Sequence, residues 1–446
     1  MNAPIDPSAS TQDRLMEALR GLDYPHPRVR FLLGTDEHIH LEARVAFSPA
    51  QVARLAKDLD SLGLDAELFV VAGAGARTRP EFRDEDYRAV GARVVTVEEA
   101  VAMEAFDVVH ALKEPTHYEA ELQGPFLRLG AAHLASKPPG VCEMLGRKNF
   151  GAILDGATVG SCSYLLQDGD RTPIVGSMSR FAGSVAGRKV VAGLDRNGVG
   201  AGKVVVVGGG IAGQSAIREV HSKTTRLIVI EPWEPNQRRL EALLPALGFD
   251  TFEIHSVLAD EHLEDAVGLV FAHRSGAKAA EKVCHYDQIR RMRSGAAISD
   301  IAIDQGGSIA HDGYDEHDDA TEALRKYADL LGGDYAYYAE VNMPREEPHA
   351  ASVEHGESSL PYVTALLALC AHLGGAQATV DRLLAQEIRI YGLDEDVSHL
   401  TFLDAVMQDL RNGIQLAVQG GNLQITDPDL SHHPALVQWI GGCAGT

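Results

Sequence analysis

Short apolar runs alternate with amphipathic segments along most of the chain. The segment that begins at Ser48-Pro49 carries Val52, Leu55 and Leu59 on one face, which is the pattern of a helix. The apolar runs have the length and composition of strands, and they are Val29–Leu33, Glu67–Ala72, Arg93–Thr96, Asp107–Ala111, Lys203–Val207, Leu227–Ile230, Leu269–Phe271 and Ala296–Ile303. This alternation predicts βαβ units and therefore an α/β fold with mostly parallel sheets.

The two ends of the chain depart from this pattern. Residues 1–28 are polar and contain Pro and Ser, so we predict a mobile extension with one short helix near Asp13–Gly21. After Pro348 the predicted elements are all helices, and they are Leu360–Leu373, Thr379–Tyr391 and Leu403–Gly420.

Length and composition narrow the class of protein. A chain of 446 residues is expected to form two or three domains. Its net charge of −23 argues against a nucleic-acid partner, which requires a basic face. The five cysteines lack metal-ligand spacing, so we expect reduced thiols and no metal. The chain has no membrane-length apolar run and no secretory signal pattern at its start, so a cytoplasmic enzyme is expected rather than a membrane protein.

A glycine motif identifies the most specific candidate site. G-x-G-x-x-G, at Gly208, Gly210 and Gly213, directly follows a predicted strand and opens a predicted helix. In a dinucleotide-binding fold the first glycine permits a tight turn, the second admits the pyrophosphate and the third lets helix and strand pack closely. The start of the helix, at Ile211 and Ala212, offers N–H groups and a partial positive charge.

A second predicted strand ends at Glu231, 23 residues after Gly208. A carboxylate at this position accepts hydrogen bonds from the adenosine ribose and repels a 2′-phosphate, which favours NAD over NADP. Lys223 and Arg226 lie nearby in the sequence, and because cations can bind a 2′-phosphate, NADP remains the alternative cofactor. The alternative is a Rossmann domain that has lost its ligand.

The apolar run Ala296–Ile303 is predicted as a buried strand that ends at Asp304, followed by Gln305 and two glycines. Ligands bind at the carboxyl ends of such strands. A lone Asp at a strand end is more often a solvated loop residue. The glycine motif, which begins 96 residues upstream, favours a functional role for Asp304.

Three residues of the first domain carry further candidate chemistry: Arg44, Lys113 and His133. Taken singly, Arg44 is more typical of a surface Arg, Lys113 of a surface Lys and His133 of a structural His. Together, Arg and Lys can clamp a carboxylate, and a His can move the proton that hydride transfer requires. Their spacing in the sequence alone does not show that the three side chains lie close together in the fold.

These residues stand in motifs that resemble the alanine dehydrogenase family, whose relatives include the nicotinamide nucleotide transhydrogenase α subunit. The matching motifs are Glu37 with Arg44-Val45-Ala46, Lys113-Glu114-Pro115, His133-Leu134-Ala135, Met178-Ser179, Gly208–Gly213, Asp300–Gly307, Val341–Pro344 and Leu360-Pro361-Tyr362. The resemblance implies two Rossmann-like domains. An NAD-binding domain at 176–348 would be inserted into a catalytic domain made of 1–175 and 349–446, with an insertion near 377–409.

The resemblance also implies roles for individual residues. His133 and Asp304 would be the acid/base pair. The substrate would be bound by Arg44, Lys113, Met178, Asn342 and Met343. The NAD contacts would be Ser179, Gly208, Gly210, Ile211, Ala212, Gly213, Glu231 and Ile303. In such enzymes NAD⁺ takes a hydride from Cα of an L-amino acid, water attacks the resulting iminium, and ammonia leaves.

The chain also departs from the family pattern. Asp36 stands where the family usually has Lys, and His355–Ser359 replaces the usual Leu-Thr-Asn-Ala-Thr before Leu360. These changes are compatible with a longer or more polar substrate than alanine, or with altered contacts between subunits. A homo-oligomer, dimeric or hexameric, is expected from the resemblance.

The sequence therefore predicts an NAD-dependent dehydrogenase that acts on the CH–NH2 group of a small L-amino acid, in either direction. One alternative on the same scaffold is an imine reductase of the opine or saccharopine type. A second is a redox-neutral NAD-dependent lyase. A module that binds NAD(H) without catalysis is the alternative from a different class.

Overall fold

The computed structural model describes residues 10–36, 42–131, 144, 147–156, 159, 173–273, 280–310, 335–387 and 401–426. The chain divides into two compact units. The split unit consists of Met1–Ser177 and Glu347–Thr446, and the inserted unit consists of Met178–Glu346.

The first part of the split unit is an alternation of strands and helices. The strands are β1 (Arg28–Leu33), β2 (Asp65–Val71), β3 (Arg93–Val95), β4 (Val108–His110), β5 (Leu127–Gly130) and β6 (Ala152–Asp155). The helices are α1 (Thr11–Leu19), α2 (Pro49–Ser61), α3 (Asp84–Ala89), α4 (Val97–Ala102) and α5 (His117–Glu121). These strands are parallel in the order β6-β5-β4-β1-β2-β3. The sheet is therefore doubly wound, and its order reverses between β1 and β4.

The inserted unit has the same kind of sheet. Its helices are α6 (Pro173–Arg196, which begins in the split unit), α7 (Ile211–Val220), α8 (Glu234–Ala246), α9 (Asp260–Leu263) and α10 (Tyr286–Ile289). Its strands are β7 (Gly202–Val207), β8 (Thr224–Ile230), β9 (Phe252–His255), β10 (Gly268–Phe271), β11 (Cys284–His285), β12 (Ala297–Asp300), β13 (Ile309–Ala310) and β14 (Ala336–Tyr338). Six are parallel in the order β14-β12-β10-β7-β8-β9, while β11 pairs with β13. The reversal here lies between β7 and β10, and the predicted α/β fold with mostly parallel sheets is confirmed.

The chain then returns to the split unit. It forms α11 (Pro348–Leu373), α12 (Ala376–Leu384), α13 (Phe402–Gly413), β15 (Ile414–Gln419) and β16 (Asn422–Ile425). The predicted helix Leu403–Gly420 is wrong beyond Gly413, because the apolar residues that follow pair antiparallel with β6 instead. Gly420 and Gly421 both have positive φ and close a tight hairpin between β15 and β16.

Helix α11 is the central element of the split-unit core. It is apolar around most of its circumference, and most of its side chains are buried, as expected for a helix packed on all sides. It contacts α1, α2, β1 and β4. Among the residues that the structure describes, no single helix is long and apolar enough to cross a membrane; α11 and α12 meet that test only as a pair, bent by 102°.

Helix α1 lies in the segment predicted as a mobile extension. Its Leu15, Met16 and Leu19 are buried, and the helix packs against α11 and α13. The prediction of mobility is therefore wrong for residues 11–19, because three apolar side chains on one helix face are covered by the core.

A buried ion pair lies under the carboxyl end of β5. The Arg128 and Glu119 side chains have no exposed surface, and Arg128 Nε donates to Glu119 Oε2 at 3.1 Å. Arg128 Nη2 also donates to the carbonyl oxygen of Lys113. Burial raises the pKa of Glu119, and the charge of Arg128 opposes that shift. The pair thus fixes the loop after β4 from inside the sheet.

Replacing Arg128 by Met should destabilise the split unit by about 3–5 kcal/mol, because Glu119 is left buried without its cation. The double variant Arg128→Met with Glu119→Leu should recover much of that loss, since no charge then lacks a partner. Urea unfolding followed by circular dichroism measures both. Equal stability of the single and double variants would contradict the argument.

Candidate functional site

The glycine motif lies at the point where the inserted sheet reverses its order. Gly208 follows β7 with φ +95°, a conformation that favours glycine, and its N–H donates to Ile230 O at 2.7 Å. A Cβ on Gly208 would lie 2.7 Å from His273 N, and one on Gly213 would overlap the carbonyl oxygen of Gly208. Both glycines are therefore required by the backbone itself.

Gly210 differs from these two glycines because nothing lies within 4 Å of where its Cβ would be. It is exposed, caps the amino end of α7, and precedes the half-buried Ile211 and Ala212. An open cradle in front of a ten-residue helix suits a pyrophosphate, which binds helix N–H groups and needs close backbone approach. The residues present thus fit a dinucleotide.

Glu231 forms the side of this cradle. Its Oε2 accepts from Gly209 N at 3.0 Å and from Asn236 Nδ2 at 2.7 Å, while its Oε1 accepts from Trp233 N at 2.9 Å. The carboxylate is buried and holds a fixed orientation at the carboxyl end of β8. The structure therefore brings together the glycine motif and Glu231, as the sequence predicted.

Ser179 lies on the face of α6 that packs against α7, the helix that begins at the cradle. Helix α6 contacts α7 closely at two glycines, where a Cβ on Gly183 would overlap Ala212 O and one on Gly187 would lie 2.8 Å from Ala216 O. Each contact is four residues further along both helices, so the helices run side by side in one direction. Ser179 is one turn before Gly183 on the same face.

The predicted strand Ala296–Ile303 ends earlier than expected, at Asp300. Asp300 is buried and accepts from Ala302 N, Ser308 N and Ser308 Oγ at 3.0, 2.7 and 2.8 Å. Ile301–Gln305 forms a 3₁₀ turn, within which Ile303 is buried. The strand-end carboxylate is therefore Asp300 and not Asp304, whose side chain lies outside the described residues.

Of the predicted substrate-binding residues in the inserted unit, Met343 is part of the hydrophobic core, whereas Met178 and Asn342 are not. Met178 is half-buried on α6, and Asn342 occupies a turn with φ +62°. Met343 is buried in the hydrophobic core of this unit beside Val185 and Ala336. For Met343 the structure supports a packing role.

In the split unit, the candidate residues meet where the sheet order reverses between β1 and β4. Asp36 follows β1, and its two oxygens accept from Leu112 N at 2.9 Å and Lys113 N at 3.1 Å, just after β4. Burial raises the pKa of Asp36 to about 7, and the charge of Glu42 adds to that shift, whereas Arg128 opposes it. Asp36 thus positions Lys113.

Arg44 and Lys113 come together around Glu42. The Arg44 Nε and Nη2 atoms each donate to Glu42 at 2.8 Å in a bidentate pair that is almost wholly buried. Burial favours a higher pKa for Glu42, but the charges of Arg44 and Lys113 and the hydrogen bonds from Arg44 lower it to about 2. The charges of the two predicted substrate-binding residues, Arg44 and Lys113, therefore both act on the Glu42 carboxylate.

Two histidines beside this cluster were missed by the sequence analysis as site residues. His110, at the end of β4, has Nδ1 3.0 Å from Leu129 O and Nε2 3.2 Å from Ser359 Oγ. His355 of α11 stacks on it, with ring centroids 5.8 Å apart and planes at 15°. The only available signal was the departure of His355 from the family pattern. His133 and Glu37 lie outside the described residues.

Comparison with known proteins places the chain in a family. The family model described as "Alanine dehydrogenase/PNT, N-terminal domain" matches residues 35–182, and "Alanine dehydrogenase/PNT, C-terminal domain" matches residues 177–391. The chain belongs to the alanine dehydrogenase/PNT family. The resemblance predicted from the sequence is confirmed, and membership supports an oxidoreductase with a Rossmann-type nucleotide-binding domain.

Individual relatives agree with the family models. The chain is 28% identical over 350 residues to an alanine dehydrogenase of Staphylococcus saprophyticus, covering 73% of this chain and 84% of that protein. An alanine dehydrogenase of Mycolicibacterium smegmatis is 29% identical over 344 residues, with the same coverage. The fold is similar to a solved L-alanine dehydrogenase (TM-score 0.64, 22% identity, 93% of this chain and 99% of the other). It also resembles a transhydrogenase from Sinorhizobium meliloti (TM-score 0.60, 18% identity, 76% and 95%).

Gly210 and Gly213 of this family member allow the cradle to be tested separately from the fold. Gly210→Ala should leave stability unchanged but weaken NADH binding by about tenfold or more, equivalent to about 1.4 kcal/mol, because its methyl group enters the pyrophosphate space. Gly213→Ala should instead destabilise the inserted unit. NADH fluorescence titration and thermal unfolding measure the two effects.

Gly200→Ala is the matched control for these variants, since Gly200 also has nothing within 4 Å of its Cβ position but precedes β7. It should change neither NADH affinity nor stability. Unaltered NADH affinity of Gly210→Ala would count against a dinucleotide at this loop.

His110 predicts a pH dependence of stability. Burial lowers the pKa of His110 from 6.5 to about 4, although its bond to Leu129 opposes that shift. The unfolded chain takes up this proton near pH 6.5 and the folded chain only near pH 4. The residue's contribution is therefore complete above pH 6.5 and is lost as pH falls toward 4, by about 3 kcal/mol.

Urea unfolding of the wild type and His110→Gln at pH 7, 6, 5 and 4 measures this contribution together with the effect of His110 on the stacked His355, whose pKa its charge lowers. Asp36, whose raised pKa has the opposite effect over the same range, is present in both proteins. The wild type should lose stability relative to the variant as pH falls. Parallel pH profiles would show that His110 does not titrate in this way.

Proposed function

We propose that this protein is an NAD-dependent dehydrogenase that acts on the CH–NH2 group of a small L-amino acid, or catalyses the reverse reductive amination. The observation that carries the proposal is the buried Arg44–Glu42 pair, with the charge of Lys113 acting on the same carboxylate, at the reversal point of the split sheet. The open cradle at Gly210 supports a dinucleotide in the other unit. Family membership supports the redox chemistry.

Arg44 and Lys113 would bind the substrate carboxylate. The bidentate bond to Glu42 fixes the plane of the Arg44 guanidinium, so less conformational freedom is lost when a carboxylate meets it. Asp36 and Arg128 hold the Lys113 backbone from two sides, through its N–H and its carbonyl oxygen. The cations are thus positioned before substrate arrives.

His133 and Asp304 would move the protons under this proposal. NAD⁺ supplies the acceptor for the hydride that leaves Cα with both electrons of the C–H bond. His133, as a neutral base, would take a proton from the amine, release it to solvent, and then take a proton from the attacking water. Asp304 would stabilise the resulting imidazolium or orient that water. Loss of ammonia then gives the 2-oxo acid.

NAD is the proposed cofactor rather than NADP. Glu231 at the carboxyl end of β8 is an anion next to the cradle, and it would repel a 2′-phosphate. Arg226 lies on the same strand five residues before Glu231, about 17 Å away at 3.3 Å per residue, and Lys223 precedes the strand. They pair with Glu253 and Asp195. The cytoplasmic location stays a prediction from the sequence pattern, and the assembly of several copies stays a prediction from the resemblance.

Absorbance at the NADH band, over a panel of L-amino acids with NAD⁺ or NADP⁺, tests this function. We expect reduction of NAD⁺ with at least one small amino acid, and a kcat/KM at least about tenfold lower with NADP⁺ because of Glu231. Arg44→Lys keeps the charge but loses the bidentate geometry. It should raise KM for the amino acid about tenfold or more without changing KM for NAD⁺.

Other outcomes would identify the alternatives. A requirement for a second amine points to an imine reductase, and turnover without net NADH points to a lyase. Tight NADH binding that is insensitive to His133→Ala and Asp304→Asn, with no turnover, points to a binding module. Absence of turnover with every amino acid, and with 2-oxo acids plus ammonia, would refute the dehydrogenase.

A further inference from the structure

Helix α11 presents a polar stripe to the carboxyl edge of the split sheet. Ser352, His355 and Ser359 are spaced by three and four residues, which places them on one face. Ser352 Oγ accepts from Val45 N at 2.9 Å, next to Arg44, and Ser359 Oγ lies 3.2 Å from His110 Nε2. His355, between the two serines, therefore lies between the Arg44 segment and the end of β4.

His355 is buried, and within the described part of the chain its ring makes no hydrogen bond. Its side chain belongs to a residue that is only 3% exposed, and neither ring nitrogen has a partner among the residues whose placement is described. His110 stacks on the ring face, where it cannot receive an in-plane N–H, and the nitrogens of His110 lie against Leu129 and Ser359. Buried polar groups are rarely unpaired, so such a group calls for a partner.

The surroundings of His355 keep its ring neutral. Burial lowers its pKa well below the usual value, and the charges of His110 and Arg44 act in the same direction, although Glu42 opposes them. A neutral imidazole presents one N–H donor and one acceptor nitrogen. A ligand group that both donates and accepts hydrogen bonds matches it.

We propose that His355 binds the side chain of the substrate, and that the preferred amino acid carries a hydroxyl or a carboxamide there. The inference rests on the proposed function, in which Arg44 binds the substrate carboxylate. Arg44 and His355 are both buried, and the bond from Val45 N to Ser352 Oγ joins their two segments one residue from Arg44 and three from His355, so a ligand that reaches one is brought beside the other.

Other side chains match His355 less well. The methyl group of alanine leaves both ring nitrogens without a partner. A second carboxylate adds a negative charge beside Glu42, which the charges of Arg44 and Lys113 already keep ionised. Leucine, usual in the resembling family at this position, would give an apolar surface instead.

The inference is tested by the ratio of kcat/KM for a polar amino acid to kcat/KM for L-alanine. L-serine and L-alanine differ by one hydroxyl, and L-asparagine and L-glutamine supply the carboxamide. With saturating NAD⁺, the wild type should show a kcat/KM at least about tenfold higher for the best of these polar substrates than for L-alanine. His355→Leu should lower that ratio about tenfold or more. His355→Asn, which keeps a donor and an acceptor, should retain part of it.

A ratio measured within one variant does not depend on the fraction of correctly folded enzyme. His349→Leu is the matched control, because His349 lies on the same helix but is half-buried, packs against the Phe82 ring and bonds to Pro80 O. It should leave the ratio unchanged. A merely structural role for His355 would alter kcat/KM for all substrates together.

Two outcomes would overturn the inference while leaving the dehydrogenase intact. One is a wild type that oxidises L-alanine in preference to every hydroxyl or carboxamide substrate. The other is a ratio that His355→Leu leaves within about twofold of the wild type, which is less than one hydrogen bond contributes. Failure of the wild type to oxidise any amino acid would instead refute the proposed function, and the inference with it.

Discussion

Asp36 joins the two strands between which the split sheet reverses its order. It follows β1, yet its carboxylate accepts from the backbone N–H groups of Leu112 and Lys113 after β4, at 2.9 and 3.1 Å. The end of a buried strand leaves N–H groups that must find acceptors, and a carboxylate can serve two of them at once. Arg128 completes the arrangement, because it donates to the Lys113 carbonyl oxygen while it pairs with Glu119. The position of Lys113, and with it the cluster around Glu42, depends on this contact.

The inserted unit uses carboxylates in the same way. Glu231 follows β8 and accepts from Gly209 N in the loop after β7, so again one strand end fixes the loop of its neighbour. Asp300 is the last residue of β12 and holds the turn that follows through Ala302 and Ser308. A carboxylate at a strand end in this protein therefore has a structural task whether or not it also meets a ligand. Position alone does not distinguish a catalytic carboxylate from a supporting one.

The sequence predicted those parts of the protein that local constraints determine. Gly208 and Gly213 were identified because no other residue fits their backbone positions, and most strands were found because buried parallel strands are continuous apolar runs. The end of β12 was misplaced because Ile301–Ile303 is apolar in a 3₁₀ turn, and apolar composition reports burial rather than conformation. The last hairpin was also missed, although Gly420-Gly421 is a recognised two-residue turn signal. Contacts such as that of His110 with Ser359, 249 residues apart, leave no local pattern.

The pairing of charges explains how so acidic a chain can hold the proposed carboxylate-binding site. The net charge is −23, but the cations at the split-unit site each have an acidic neighbour: Glu42 for Arg44 and Lys113, and Glu119 for Arg128. Buried charges at short range outweigh distant surface charges, which solvent and salt screen. In the proposed function, an arriving carboxylate would meet an Arg–Glu pair with Lys113 beside it, rather than an isolated cation. Such a site is nearly neutral overall, so it suits a zwitterion, whose ammonium group gains from Glu42 what its carboxylate gains from Arg44 and Lys113.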